Sequence, residues 1–293
     1  MKLTYFSGHV PNFGDELNKY MWDSLVSPGF FDEDESKLFL GVGSILWDDY
    51  PKKSKKIVMG SGYGGYTAKP DIHDGSWDVA FVRGPRTALE LNLDPNLAIT
   101  DSAILTHFMG LPKYEKTHKI SFMPHYESIP RGNWKSVCKN AGINYIDPTA
   151  PDVISSLAEL NKSDILITEA MHGAILADTL RIPWVALEPI VPIHRNKWYD
   201  WSESLNIELQ FKKMPSSSVK DTWSQITGKK GIGNRSQKIA SVLSFTEKYY
   251  IDSASEKLLN LAKSSGQLSD DKIFNLKANM ALSKLSEHCN LKV

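Results

Sequence analysis

One stretch, residues 163–201, constrains the fold of this chain more than any other. Residues 164–168 form a short apolar, β-branched run that is typical of a buried strand. A tight Glu-Ala-Met-His-Gly turn leads into residues 174–180, whose apolar spacing is helical. The Arg-Ile-Pro sequence at 181–183 ends that helix before a second apolar run at 184–187. Strand, turn, helix and strand in this order predict a βαβ unit and therefore a parallel sheet.

This βαβ unit places His172 and Gly173 at a helix N-terminus, just beyond the carboxyl end of a strand. The N–H groups and the helix dipole favour anions at such a position. A cationic cluster, His194, Arg195 and Lys197, follows the next strand. Because parallel sheets bind ligands at the carboxyl ends of their strands, the two loops predict a site for an anionic substrate. The alternative for His172 is a satisfied core histidine.

Composition is ordinary for a globular protein with a full core. The 293 residues suggest one large or two medium domains, with 41% apolar and 23% charged residues. Lys+Arg (34) balance Asp+Glu (34), so no global field recruits nucleic acid. Cys138 and Cys289 are predicted to be free buried thiols in a reducing compartment. Without a signal-peptide core or a run of about 18 apolar residues, a cytoplasmic protein is expected.

Strand-like runs occur in two groups and predict two Rossmann-like domains of the α/β class. The first domain is predicted over residues 1–112, and a polar stretch at 111–118 reads as the linker. The pattern of strands restarts in a second domain over residues 113–215. Residues 216–293 are predicted to be polar loops and C-terminal helices that brace the two domains.

Two polar clusters in the first domain are candidates for ligand contact. Asn12, Gly14 and Asp15 open a helix, where Asn caps and an acid favours the first turn, so an N-cap role and a ligand contact are compatible. Arg83 directly follows the predicted strand 79–82 and would emerge at the ligand end of the sheet, where arginine suits bidentate capture of carboxylate or phosphate. Arg86 lies in the next helical turn and ranks below Arg83.

Two further residues follow predicted strands. His125 comes just after residues 120–123 and Asp101 just after residues 97–100. Each is placed at the carboxyl end of a strand, where ligands bind. Asp101 could equally hold a neighbouring loop, and His125 ranks below His172.

Other motif classes are excluded. Residues 60–65 formally match G-x-G-x-x-G after a strand, but the following residues 66–75 have no helical periodicity, so a nicotinamide site is not expected. The glycines, Gly62 among them, more plausibly let the backbone approach a ligand or a facing domain. No Cys/His cluster has zinc spacing, and neither a P-loop nor a G-x-S-x-G elbow occurs.

These motifs together resemble the polysaccharide pyruvyl transferase family, over residues 3–205. The matching segments are Asn12-Phe13-Gly14-Asp15, Gly41-Val42-Gly43-Ser44, the loop 60–65, Arg83-Gly84-Pro85-Arg86 and Met171-His172-Gly173-Ala174-Ile175. The segments at 170–175 and 194–201 look most like the exopolysaccharide, ketal-pyruvate transferase branch. The resemblance implies a GT-B-like fold, with two Rossmann-like domains facing a cleft and with C-terminal bracing helices. It also implies phosphoenolpyruvate as donor, a sugar diol as acceptor, and a cyclic pyruvate ketal and phosphate as products.

Roles for individual residues follow from this reaction as hypotheses. His172 is the predicted acid or phosphate ligand, and Asp15 or His125 is the predicted base. The predicted donor contacts are Arg83, Gly173, His194, Arg195 and Lys197. The predicted acceptor contacts are Asn12, Gly14, Gly62 and Asp101. No metal or cofactor is expected, because arginines and the helix dipole can neutralise the donor.

The chain departs from the family pattern at Ala170, where several members carry arginine. Arg83, Arg195 or Lys197 would then take over donor binding. Two other functions stay open at this point: a GT-B-type glycosyltransferase that uses a nucleotide sugar, and a non-catalytic anion-binding protein. The expected partners are phosphoenolpyruvate and a glycan acceptor, either free or lipid-linked. Lys272, Lys277 and Lys284 of the C-terminal helix leave a weak contact with the inner face of the membrane open.

Overall fold

The computed structural model describes residues 1–292. The strands are β1 (Lys2–Thr4), β2 (Lys37–Leu40), β3 (Lys55–Met59), β4 (Trp77–Phe81), β5 (Ser121–Met123), β6 (Asn144–Tyr145), β7 (Leu166–Thr168), β8 (Trp184–Leu187) and β9 (Phe211–Lys212). The α-helices are α1 (Phe13–Leu25), α2 (Pro85–Glu90), α3 (Trp134–Ala141), α4 (Val153–Asn161), α5 (Met171–Thr179), α6 (Ile193–Ser204), α7 (Val219–Thr227), α8 (Asn234–Val242), α9 (Glu247–Leu261) and α10 (Asp271–His288). Short 3₁₀ helices span Pro95–Leu97, Ser102–Phe108, Tyr126–Ser128 and Ser244–Thr246.

The described chain forms two compact units, each built on a parallel sheet. Unit 1 comprises Met1–Pro112, Ile193–Leu209 and the segment from Ser269 onward, and unit 2 comprises Lys113–Pro192 and Gln210–Leu268. The α/β class predicted from the sequence is therefore confirmed. The unit bounds differ from the predicted domains, because α6 and α10 belong to unit 1, whereas α7, α8 and α9 belong to unit 2.

The sheet of unit 1 has the strand order β1-β2-β3-β4, with parallel neighbours throughout. Consecutive residues of β2 and β3 are buried, from Leu38 to Leu40 and from Lys56 to Met59. Burial on successive residues means that both faces of these strands are covered, as parallel sheets require. Helix α1 buries Leu17, Met21 and Leu25, which share one face at a spacing of four residues.

The sheet of unit 2 has the order β6-β5-β7-β8-β9 and is also parallel. Met123 of β5 pairs with Thr168 of β7, so the carboxyl ends of these two strands lie side by side. Strands β7 and β8 are fully buried, and α5 between them completes the predicted βαβ unit. The central prediction from the sequence is confirmed.

Two local predictions were wrong. The predicted strand at 97–100 is replaced by the 3₁₀ helix Pro95–Leu97, because the Asp94 side chain accepts the Asn96 N–H and Pro95 occupies the first turn. The predicted loop at 194–197 is the first turn of α6, whose buried Trp198 and Trp201 have helical spacing. Helix α7 lies in the region 216–293, which was predicted to contain polar loops and helices, in a stretch to which the sequence assigned no element of its own.

Helix α10 packs within unit 1 through one apolar face that includes Phe274, Ala278, Ala281 and Leu285. Lys277 is turned inward, its Nζ donates to the Ala98 carbonyl at 3.3 Å, and burial lowers the pKa of its amine. Across residues 1–292, no helix is long and apolar enough to cross a bilayer. Cys138 and Cys289 are buried free thiols, as predicted, and burial raises the pKa of each to about 12.

Candidate active site

The predicted turn between β7 and α5 in unit 2 is held by Thr168. The Thr168 Oγ1 accepts the Ala170 N–H at 2.9 Å and lies 3.0 Å from the Met123 carbonyl. This hydroxyl joins the end of β7 to the neighbouring β5 and fixes the start of α5. No side chain caps the N-terminus of α5, which begins after Ala170. The positive end of the helix dipole therefore stands at the carboxyl edge of the sheet.

Gly173 lets α5 start close to the sheet. A Cβ at this position would lie 2.7 Å from Thr168 Oγ1 and 2.9 Å from Met123 Sδ, well inside normal contact distances. Gly173 is itself buried. Its predicted contact with the donor is therefore accompanied by a structural role, namely the close packing of the first turn of α5 against β5 and β7.

Alanine in place of Gly173 is expected to lower the free energy of unfolding by about 1–3 kcal/mol, because its methyl group meets both Thr168 and Met123. Urea unfolding measures this change. The matched control is Gly233→Ala, since a Cβ at Gly233 meets nothing within 4 Å and its φ of −81° suits alanine. Equal stability of the two variants would contradict the packing role of Gly173.

His172 is the one residue of α5, among Met171–Thr179, that is not buried. Its neighbours Met171 and Gly173 are both in the core, whereas His172 is partly exposed, with its Nε2 atom enclosed. It comes four residues after the end of β7. This partial exposure is compatible with a ligand contact, and the role of His172 stays a prediction.

Glu169, to which sequence reasoning gave no role, connects this turn to the loop after β5. Its Oε2 accepts the His125 N–H at 2.9 Å and the Ser128 hydroxyl at 2.5 Å, and its side chain is buried. Burial raises the pKa of the Glu169 carboxyl, and the nearby Asp221 carboxylate adds to that rise, whereas the hydrogen bond from Ser128 opposes it. An acid directly after a buried strand was the available sequence signal.

Glu169 makes the stability of the fold dependent on pH. Because its pKa is higher in the folded state, the folded protein binds more protons, and stability is lost as pH rises above the unfolded carboxyl value of about 4.3. Glutamine retains an oxygen that accepts from Ser128 and His125 but cannot ionise. Glu169→Gln is therefore expected to gain stability relative to wild type between about pH 5 and about pH 8.

Urea unfolding of both proteins at the two pH values measures this effect. Asp152→Asn is the control, because hydrogen bonds from Ser155 lower the pKa of the exposed Asp152 carboxyl and keep it ionised throughout this range. Its difference from wild type should be the same at both values. A Glu169→Gln curve parallel to wild type would rule out a pKa above the ordinary range.

His125 lies at the same edge of the unit 2 sheet as the turn at 169–173. It precedes the 3₁₀ helix Tyr126–Ser128, and its Nδ1 lies 3.8 Å from a Glu127 carboxylate oxygen. Its ring packs against the Tyr126 ring, with 4.7 Å between the centroids and 44° between the planes. Because Glu169 binds the His125 backbone, the loops that carry His125 and His172 are tied together at adjacent strand ends.

In unit 1, Arg83 lies at the end of β4 but is completely buried. Its Nε donates to Asp200 Oδ2 at 3.0 Å, and its Nη1 donates to the Ser44 hydroxyl at 2.7 Å. Asp200 of α6, which sequence reasoning missed, also accepts the Thr87 N–H at 2.9 Å and the Thr87 hydroxyl at 2.6 Å. This network holds α6 to α2 and the end of β4. The geometry therefore gives Arg83 a structural role and does not support the predicted donor contact.

Gly62 is required by the same network. A Cβ at Gly62 would lie 2.1 Å from the guanidinium carbon of Arg83, so only glycine lets the loop after β3 pass over this side chain. The Gly62 N–H donates to the Gly43 carbonyl at 2.9 Å, which ties the loop to the one after β2. The predicted acceptor contact of Gly62 is thus accompanied by a packing requirement.

The start of α1 forms a second cluster in unit 1. Asn12 does not cap the helix with its side chain. Its Nδ2 donates instead to Asp15 Oδ2 at 2.6 Å. Asp15 and Gly14 are buried in the first turn. Asn18, another residue that sequence reasoning missed, binds the Val42 N–H and carbonyl at 2.9 and 3.0 Å and so joins α1 to the glycine-rich loop 41–44.

Asp101 is fully buried, and its Oδ1 accepts the Ala103 N–H at 2.9 Å as the cap of the 3₁₀ helix Ser102–Phe108. This burial and the cap favour the alternative that Asp101 holds a neighbouring loop, and its contact with the acceptor stays a prediction. The cap satisfies one of the N–H groups that a helix start leaves without a partner.

The predicted cationic cluster lies on α6, in unit 1. His194 Nδ1 is 2.9 Å from the Tyr66 hydroxyl, and His194, Arg195 and Lys197 are each partly exposed. A cavity of about 570 Å³ opens beside them in unit 1, between the loop 63–65, α2 and α6, and includes Arg86 and Asn196 in its lining. Its volume is in the range of small-ligand sites.

Comparison with known proteins assigns the chain to a family. The family model described as polysaccharide pyruvyl transferase matches residues 6–189, which include Asp15, Arg83, His125 and His172 and end before α6. Over 225 residues the chain is 40% identical to the succinoglycan biosynthesis protein ExoV of Rhizobium meliloti (strain 1021), with 74% of this chain and 69% of that protein covered. No solved structure matches the chain. The protein is therefore a pyruvyltransferase that belongs to the polysaccharide pyruvyl transferase family.

Proposed function

We propose that this enzyme transfers the enolpyruvyl group of phosphoenolpyruvate to two hydroxyls of one sugar in a polysaccharide or its lipid-linked precursor. The products are a cyclic pyruvate ketal and inorganic phosphate. Family membership supports the reaction class, and the relative's role in succinoglycan biosynthesis supports a glycan acceptor. Neither comparison favours the alternative function, a glycosyltransferase that uses a nucleotide sugar. The GT-B-like arrangement of the two units stays a prediction.

The observation that carries the proposal is the position of His172. It is the one residue of α5 outside the core, at a helix N-terminus that follows the central strand pair of unit 2. Phosphoenolpyruvate brings a phosphate and a carboxylate on one enol carbon, and the N-terminus of α5 suits such an anion. Several family members carry an arginine where this chain has Ala170. Since Arg83 is buried, Arg195 and Lys197 are the cations predicted to bind the donor in place of that arginine.

The proposed chemistry begins with protonation of the donor methylene carbon while a sugar hydroxyl attacks the enol carbon. The C–O bond to phosphate then breaks, and the second hydroxyl adds to the same carbon to close the ring. The methyl group gains one proton, and the two hydroxyls release two, of which the second leaves with the phosphate. His172 is proposed as the acid, and His125, at the same sheet edge, as the base. Asp15 of unit 1 stays the other candidate base.

Release of inorganic phosphate from phosphoenolpyruvate tests this function. Purified enzyme is assayed with each member of a panel of glycans, and with none. Acceptor-dependent release, together with a glycan that has gained a pyruvate ketal by mass, is expected. Saturable stabilisation by a nucleoside diphosphate but not by phosphoenolpyruvate, with no phosphate release on any glycan, would contradict the proposal.

A further inference from the structure

We propose that unit 2 docks on anionic lipid membranes through a surface formed by residues 226–249. This membrane patch comprises the end of α7, helix α8, the 3₁₀ helix Ser244–Thr246 and the start of α9, which contact one another in sequence. It is independent of the proposed chemistry and differs from the C-terminal helix suggested by the sequence. Its partner is a bilayer surface that carries negatively charged headgroups.

Large apolar side chains of the membrane patch stand in solvent. Ile226, Val242, Phe245 and Tyr249 are each between 74% and 80% exposed. Isolated exposed apolar residues are common, but four of this size within 24 consecutive residues, on elements that contact one another, indicate an interaction surface. Aromatic and aliphatic side chains of this kind bind at the boundary between headgroups and acyl chains.

Basic side chains alternate with these apolar ones. Residues 226–249 contain five basic residues and one acidic residue, although the whole chain has formal charge zero. On α8, Arg235, Lys238, Ile239 and Val242 follow the i, i+3, i+4, i+7 pattern and therefore share one face, whereas Ser236 on another face is buried. Apolar and basic groups on one helical face are the pattern of interfacial helices.

The charges of the membrane patch are available to a partner. Among residues 1–292, no ion pair engages Arg235, Lys238 or Lys248. Lys230 makes a long ion pair, with its Nζ 4.0 Å from a Glu127 carboxylate oxygen. The acid of the patch, Glu247, is turned toward α3, where its Oε1 accepts from Asn133 Nδ2 at 3.0 Å. The membrane patch is therefore complementary to anionic headgroups. Each of its basic residues strengthens the attraction of the protein to the membrane.

The hairpin of α7 and α8 is well fixed. The Ser224 hydroxyl binds the Lys229 carbonyl at 2.5 Å, and Gly231, at φ of +72°, lets the loop pass against the Lys220 carbonyl. The exposed side chains therefore belong to a defined structure, so substituting them should leave the fold intact.

Co-sedimentation with vesicles tests the inference. The full-length protein is expected to bind phosphatidylcholine vesicles that contain phosphatidylglycerol, and to bind pure phosphatidylcholine vesicles at least tenfold more weakly. Arg235→Gln with Lys238→Gln should weaken the binding roughly 10- to 30-fold. Val242→Ser with Phe245→Ser should weaken it about tenfold or more. Melting temperatures should match wild type.

The matched control is Lys272→Gln with Leu276→Ser on α10, an exposed basic and apolar pair in unit 1. This variant should bind as wild type does. The proposal would be overturned if the protein did not bind anionic vesicles, or if it bound neutral and anionic vesicles equally well. Loss of binding in the α10 variant alone would also overturn it. Because phosphate release on a water-soluble glycan is measured separately, failure here does not bear on the pyruvyl transfer.

Discussion

Alanine in place of His172 is expected to lower kcat for pyruvyl transfer about 10²- to 10⁴-fold, with an unchanged melting temperature. His172 is the one residue of α5 that is not buried, so we expect the packing of the buried residues of that helix to survive its removal. Without the imidazole as acid, the methylene carbon of phosphoenolpyruvate is protonated more slowly. A phosphate contact alone would mainly raise KM for phosphoenolpyruvate, so the two parameters distinguish the two roles.

His118→Ala is the matched control for this experiment. His118 is also a partly exposed histidine of unit 2, but it precedes β5 and lies at the amino end of the sheet, where its Nε2 is 2.9 Å from the Glu159 carboxylate. Its substitution should leave kcat and KM unchanged. Wild-type activity of His172→Ala would show that the N-terminus of α5 is not where the chemistry occurs.

Methionine in place of Arg83 is expected to lower the free energy of unfolding by about 3–5 kcal/mol. The substitution leaves the buried carboxylate of Asp200 without its opposite charge and the Ser44 hydroxyl without its donor. Combining it with Asp200→Asn should recover part of the loss, because the double variant buries no unpaired charge. Chemical unfolding of the three variants measures both effects.

Arg86→Met provides the control for Arg83. Arg86 pairs with Glu203 of the same helix α6, but both side chains are about 40% exposed, so its loss should cost about 1 kcal/mol or less. A stable Arg83→Met variant that no longer binds phosphoenolpyruvate would contradict the structural role and restore Arg83 as a donor contact.

The βαβ unit around α5 was predictable because its signals are local. Apolar runs mark β7 and β8, proline at 183 stops the helix, and Gly173 marks the tight turn. Each of these depends on residues within a few positions of one another. Sequence patterns of this kind determine which segments are buried and where helices begin.

The network around Arg83 could not be predicted in the same way. Arg83 and Asp200 are 117 positions apart, and nothing in the short-range pattern pairs them. Residues 194–197 were predicted to be a loop because their charged side chains conceal the helical spacing of the Trp198 and Trp201 that follow. Only the folded chain shows that these tryptophans place Asp200 against Arg83 and Thr87.

The burial of acidic side chains was the other feature that the sequence did not predict. Asp101 and Glu169 both follow predicted strand ends, but the sequence left Asp101 between a ligand contact and a loop contact and gave Glu169 no role. Asp101 instead caps a 3₁₀ helix, and Glu169 is enclosed by Ser128 and His125, which are 41 and 44 positions away. A strand end fixes where a side chain starts, but its exposure depends on loops that pack there from elsewhere.

The central claim is that donor protonation and ketal closure occur together on one enzyme. The most direct test is a reaction in deuterated water with phosphoenolpyruvate labelled with ¹³C at the enol carbon, followed by mass spectrometry and NMR of the glycan. A ketal carbon bonded to two sugar oxygens, with solvent deuterium in its methyl group, is the predicted result. A ketal without solvent deuterium in its methyl group, an enolpyruvyl ether in place of the ketal, or a glycan without the label would contradict the account.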